Sequence, residues 1–364
     1  MPQTSRELVT RCLKFEYPER IPRDLWLLPW AAERYPETVA EINRNFPSDF
    51  VTTEYFYPPS PRVQGDPHKI GTYTDEWGCV FINYQNGVIG EVKNPMITDI
   101  NDWKSVKPPY EQLPQNIEPA RKIINAYYAS TDKFVIANCC PRPWERYQFL
   151  RGTENAMIDV MMPEEGGADL LRAIHEFYLK ELEFWAPMDV DALRFMDDWG
   201  AQNQLLIPPR VWRELFKPLY KDYCDLAHAN GKFAFMHSDG HISEIFEDLI
   251  EVGVDAINSQ LFCMDFEEIE KKAKGKISFW GEIDRQHVLP SPNPQDGRDA
   301  VRKVAQHFYD PRGGIIAQFE FGAGANPETA LAIFDEWEKV EQIGNLPQKY
   351  NNSIRNNLGN DQYN

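Results

Sequence analysis

His237-Ser238-Asp239 is the stretch of this chain best spaced to hold a metal ion. In an extended segment residues i and i+2 fall on the same side, so an imidazole nitrogen and a carboxylate oxygen can face one cation. With Glu320 as a third ligand, His237 and Asp239 would hold zinc and leave a fourth position open, as catalytic zinc sites do. The same residues also allow a structural reading. His237 then hydrogen-bonds within its surroundings, and Asp239 caps a helix starting near His241. Asp197 and Asp198 are adjacent, so one points into the site and the other away. Crowding with Glu282, Asp284 and Glu320 raises carboxylate pKa values unless a cation lies among them. Asp197, Asp198 and Glu282 are thus candidates for orienting a substrate or managing its proton. An aspartate could instead hold Arg194 or Arg285. Trp26, Trp30, Trp144, Trp199 and Trp280 stand near expected strand ends, where rings stack on a planar ligand or fill the core. Trp199, Gln202 and Trp280 are the candidate substrate contacts.

These residues need a frame that delivers them to one rim, and the apolar pattern supplies it. Short apolar runs occur at RDLWLL (23–28), DFVTT (49–53), FVIAN (134–138), VDALRFM (190–196), KFAFM (232–236), VDAIN (254–258), KISFW (276–280) and GIIAQF (314–319). Amphipathic segments lie between the later ones, among them RVWRELFKPLYKDYCDLAHANG and ISEIFEDLIEVG. Both end in glycine, as helix C-termini commonly do. Apolar strands alternating with helices mean a parallel sheet covered by helices, and eight such strands close a (β/α)8 TIM barrel. An open doubly wound sheet is the alternative, but no GxGxxG follows a first strand. In a barrel the active site gathers at the C-terminal strand ends. Asp197-Asp198, His237-x-Asp239, Glu282-x-Asp284 and Glu320 each follow a strand. The segment HKIGTYTDEWGCVFINYQNGVIGEV (68–92), with Asn86-Gly87 as a turn, reads as an antiparallel hairpin decoration. In the glycine-rich loop after Glu320, Asn326 and Pro327 read as N-cap and first residue of a helix. That terminus could receive an anion, or the glycines could only permit a tight turn.

Residues 1–342 read as one domain and 343–364 as a mobile polar tail. A formal net charge of −18 argues against nucleic acid or an anionic membrane as the main partner. The N-terminal stretch has no continuous apolar run, so neither a secretory signal nor a membrane span is expected. Six scattered cysteines without a CxxC pair fit free thiols in a cytoplasmic protein.

The segments FMDDWGAQNQLLIPPRVWRELFKPLYKDYCDLAHANGKFAFMHSDGHISEIFEDLIEVGVDAINSQ, KGKISFWGEIDRQHVLP and GGIIAQFEFGAGANPETALAIF resemble the uroporphyrinogen decarboxylase superfamily, most closely its corrinoid-dependent methyltransferase branch. LKFEYPERIP is similar to the family's opening. The resemblance implies the barrel, and a methyltransferase that moves a methyl group from a small methoxylated or methylated donor to a corrinoid on a separate partner protein, assisted by zinc. No cobalamin-binding Asp-x-His-x-x-Gly stretch is present. The decarboxylases carry an Arg-Gln-Ala-Gly-Arg stretch near the N-terminus, where this chain has only Arg23 and Arg34. The methyltransferases bind zinc through His-x-Cys and a late cysteine. Here the matching positions are His237, Asp239 and the neighbourhood of Glu320, and no cysteine follows Cys263. Carboxylates are harder ligands than thiolates and leave zinc more electrophilic, which implies an oxygen donor rather than a thiol acceptor. A related lyase, and a non-catalytic binding protein on the same scaffold, are the alternatives.

Overall fold

The computed structural model describes residues 2–54 and 56–344, the last four of these in backbone only. The expected tail lies outside the described residues from 345 on. In chain order, β1 (Trp26–Leu27) and β2 (Phe50–Thr52) open the fold. An antiparallel sheet follows, of β3 (Gly71–Thr74), β4 (Val80–Asn83) and β5 (Glu91–Val92). Asn86 and Gly87 fall in the β4–β5 connection, Gly87 with a φ of +81°. The remaining strands are β6 (Phe134–Ile136), β7 (Ala192–Met196), β8 (Phe233–Ser238), β9 (Ala256–Ser259), β10 (Ser278–Trp280), β11 (Ile315–Ile316) and β12 (Glu320–Phe321).

Strands β2, β6, β7, β8, β9, β10 and β11 pair in that order, all parallel. Closure comes from the segment around β1. Asp24 N–H donates to Ala317 O at 2.9 Å and Trp26 N–H to Phe319 O at 3.1 Å, while β1 pairs with β12. On the other side Asp49 N–H donates to Arg23 O at 2.8 Å. Counting β11 and β12 as one interrupted strand, the eight apolar runs form a TIM barrel. Residues alternate between the interior and the helical shell. In β8 this sends Phe235 and His237 inward, with His237 above Phe235. The interior is filled by rings: Phe235 meets Trp280 at 5.0 Å and Phe134 at 5.7 Å, and Phe50 meets Phe134 at 5.5 Å. The far end is plugged by Val9, Cys12 and Leu13 of the helix Ser5–Leu13.

The amphipathic segment after β7 forms two helices, Pro209–Leu215 and Lys217–Ala229, rather than one. Pro218 has no N–H to donate and its ring collides with the preceding turn, so a new helix starts there. Asn326 caps the helix Pro327–Gly344 by accepting from Glu328 N–H at 2.9 Å. All six cysteines are free. Among the described residues no helix is long and apolar enough to cross a membrane.

Two loops at the mouth are locked together by backbone. Gly200, after β7, and Gly240, after β8, touch so closely that a Cβ on Gly240 would lie 2.1 Å from Gly200 O, and one on Gly200 would lie 2.2 Å from His241 N. Around this contact Gly200 N–H donates to Asp239 O at 3.0 Å and His241 N–H to Ala201 O at 2.8 Å. Gly240 also has a φ of +76°, in the left-handed region that a side chain disfavours. Gly231 shares that conformation (φ +69°) with nothing within 4 Å of its added Cβ. Gly231→Ala should therefore cost only the backbone term, about 1–2 kcal/mol. Gly240→Ala should cost clearly more in denaturant unfolding, and equal losses would mean that the loop contact does not demand glycine.

Candidate functional site

The mouth of the barrel is organised around the ring of His237. Its Nδ1 lies 2.6 Å from Asn258 Oδ1. The amide of Asn258 is oriented by its own donors: Nδ2 gives one hydrogen bond to Trp280 O at 2.5 Å and another to Gln318 Oε1 at 2.9 Å. Asn258 Oδ1 is thus an acceptor, and Nδ1 of His237 carries the hydrogen. That leaves Nε2 pointing at Asp198 Oδ1 and Asp239 Oδ1, both at 3.5 Å. The ligand atoms of Asp198, His237 and Asp239 all lie within 4.8 Å of one another. Asp198 is held by Asp239 N–H, which donates to its Oδ1 at 3.1 Å. This bond depends on the glycine-locked loops.

Electrostatics follows from this packing. Burial alone pushes the His237 imidazole down, but contact with Asp198 and the charge of Asp239 outweigh it and raise the ring to about 10. Burial also works to raise Asp198, and His237 more than reverses it. A neutral ring would aim its lone pair at two carboxylates. The pocket therefore favours a cation at Nε2, either a proton or a metal ion.

Arg285 balances the remaining acids. Its guanidinium contacts Asp239 Oδ2 and donates to Glu320 Oε1 at 3.3 Å, with Glu282 Oε1 at 4.0 Å. Glu320 is thereby joined to Arg285, and the trio around Nε2 is completed by Asp198 instead. Glu282 is 3% exposed and its Oε2 has no hydrogen-bond partner. Burial raises its carboxyl to about 8, against the opposing pull of Arg285, so it carries a proton at neutral pH.

The other expected residues divide. Asp197 is turned away from the mouth and fully buried, accepting from Trp144 N–H at 3.0 Å, Glu145 N–H at 2.7 Å and the Tyr220 hydroxyl at 2.6 Å. It anchors the first turn of the helix Pro143–Arg151. Trp199 is core: it stacks on Trp144 at 5.4 Å, and its N–H donates to Tyr220. Trp280 lies inside the barrel with its N–H on Asp24 Oδ2 at 3.0 Å. Gln202 is exposed on the rim beside Cys263. The ring that reaches His237 is Trp26, at 5.1 Å.

Arg285 is held by an aspartate, Asp239, as one reading of the sequence allowed, while Asn258 and Glu145 were missed. Asn258 ends an apolar strand and was available to the same strand-end test. Glu145 follows β6, six residues past Cys139, and its carboxyl is raised by burial and by Asp198, against the charge of Arg142. Glu145 also borders a cavity of ≈ 570 Å³ lying between the β3–β5 sheet and the helices Pro143–Arg151 and Glu165–Trp185.

Comparison with known proteins agrees with this frame. The family model described as uroporphyrinogen decarboxylase (URO-D) matches residues 70–338. No curated protein matches the chain by sequence. Among solved structures, a methyltransferase from Methanosarcina mazei is similar with a TM-score of 0.61 at 14% identity, over 93% of this chain and 99% of that one. The 3-keto-D-glucoside 4-epimerase of E. coli is similar with a TM-score of 0.36 at 11% identity, over 62% of this chain and 86% of that one. By the extent of the family match, this chain belongs to the uroporphyrinogen decarboxylase family.

Proposed function

We propose that this protein is a methyltransferase that moves a methyl group from a small methoxylated or methylated donor to a corrinoid carried by a separate protein, with zinc held at the barrel mouth. The observation that carries the reading is the fixed ring orientation of His237, which turns Nε2 towards Asp198 and Asp239. One imidazole nitrogen and two carboxylate oxygens are a donor set that zinc accepts. The likeness to a methyltransferase from Methanosarcina mazei supports methyl transfer as the class of reaction. The chain's Asp239, where thiol-methylating relatives carry cysteine, supports an oxygen-bearing donor. Zinc bound there supplies a Lewis acid that takes up electron density on the atom losing its methyl group.

The chain's own residues supply the rest. Asn258 orients the imidazole, and Arg285 keeps Asp239 and Glu320 from repelling each other. Glu282, protonated at neutral pH, donates a hydrogen bond or its proton to the oxygen that the methyl group leaves. Trp26 covers one side of the His237 ring and keeps water from it.

Three outcomes are expected. Protein purified without chelator should hold one zinc per chain. His237→Ala and Asp198→Ala should each remove it, and Glu320→Ala should retain it. Full occupancy in His237→Ala would sink the assignment.

The second outcome follows from the proton that zinc must displace. The raised imidazole stays protonated below about pH 10, so acid competes with the metal. Apparent zinc affinity should fall about ten-fold per pH unit between about pH 8 and 6, read by competition with a chromophoric chelator. A flat profile would mean that Nε2 is not a ligand.

The third concerns Glu282. Glu282→Gln should keep zinc while slowing methyl transfer from an ether or alcohol donor to a reduced corrinoid by about 10²–10⁴-fold. An unchanged rate would remove Glu282 from the chemistry.

A further inference from the structure

The ≈ 570 Å³ cavity beside the mouth is of a size that small-molecule sites have, and its charges do not balance internally. Arg146 is already engaged: it contacts Asp75, donates to Glu76 at 3.2 Å and lies over the rings of Trp77 and Phe149 at 5.0 and 5.4 Å. Arg142 approaches Glu145, Nη1 to Oε2, at 4.0 Å. Glu181 is left over. The Tyr57 hydroxyl donates to it, but its Oε2 is shut off from solvent with no hydrogen-bond partner. Burial holds this carboxyl up at about 7, although the Tyr57 hydroxyl and the charges of Arg142 and Arg146 pull it down. The same cavity is lined by rings, including Tyr73, Phe177 and Tyr178. Arg146 reaches Tyr178 at its hydroxyl, Nε donating at 3.4 Å. Four carboxyls (Asp75, Glu76, Glu145, Glu181) against two guanidiniums (Arg142, Arg146) in a ring-lined cavity are the chemistry that receives an organic ammonium ion: charge attraction from the acids, cation–π attraction from the rings.

We propose that the ≈ 570 Å³ cavity binds the ammonium group of a small organic ligand, with Glu181 as its counter-charge and the surrounding rings as its cage. The inference deepens the proposed methyl transfer by naming the donor class, an ammonium-bearing molecule whose reacting end extends past Glu145 to the mouth. Glu145 is the link, since it borders the cavity and its charge interacts with Asp198 and His237. An anionic donor would instead meet two carboxylates with only Arg142 to receive it.

Calorimetric titration of the full chain with choline and with 3,3-dimethyl-1-butanol tests this, because the pair share shape and differ in charge. Choline should bind at least ten-fold more tightly than the neutral alcohol. Glu181→Gln should reduce choline affinity ten-fold or more without moving that of the alcohol. Tyr73→Ala, at a partly exposed position of β3, should weaken choline as well and provides the test if Glu181→Gln fails to fold. Equal binding of the two probes, no binding of choline, or tighter binding of 4-methoxybenzoate would each overturn the proposal. These readouts need neither zinc nor turnover. A protein that holds zinc yet ignores choline refutes the ammonium site alone, and one that binds choline without zinc refutes the metal reading alone.

Discussion

The loops after β7 and β8 meet backbone to backbone at Gly200 and Gly240, with no room for a single methyl group between them. That contact fixes what lies on either side. It sets Asp239 N–H against Asp198, so a residue from one strand end joins two from the next around His237 Nε2. A gap of one more side chain there would draw Asp198 away from the imidazole and leave a pair of ligand-type groups instead of three. The same loop carries Asp197 in the opposite direction, into the shell, where it holds the first turn of the helix Pro143–Arg151 and so places Glu145 between mouth and cavity.

A second constraint is electrostatic. Asp198, Asp239, Glu282 and Glu320 crowd one rim, and close carboxylates oppose each other's ionisation. The mouth resolves this with three devices: the cation at His237, the guanidinium of Arg285, and a Glu282 left protonated. In the proposed reaction each device would bear on a different step of binding and proton handling, so charge neutralisation and chemistry would be the same arrangement seen twice.

The barrel was legible in the chain because its eight strands are short apolar runs with charged residues just past them. The pattern depends only on burial and chain direction, both local. His237 and Asp239 were legible for the same reason, since the alternation of β8 alone puts them on one side. The third member of the trio was not. Choosing Asp198 over Glu320 requires knowing that two loops touch and that Arg285 reaches Glu320, contacts between positions distant in sequence. Trp199 and Trp280 show another limit. An indole at a strand end is equally at home facing a ligand or the core, and here the N–H groups find Tyr220 and Asp24 in the interior.

The helix Ser5–Leu13 stoppers the far end of the barrel, and the rings of Phe50, Phe134, Phe235 and Trp280 fill the space above it. Among the described residues that packing fills the axis, so whatever reaches His237 arrives and leaves at the mouth end of the barrel, over the rim or past Glu145. For the proposed transfer between two reactants of unequal size this would impose a queue. A protein-borne acceptor settling over the mouth would cover the approach to His237, so a small donor would have to be seated before it docks. The acceptor would then have to withdraw before a donor bound at the mouth could go. Under that proposal, a barrel sealed at one end implies ordered kinetics, small reactant first and last.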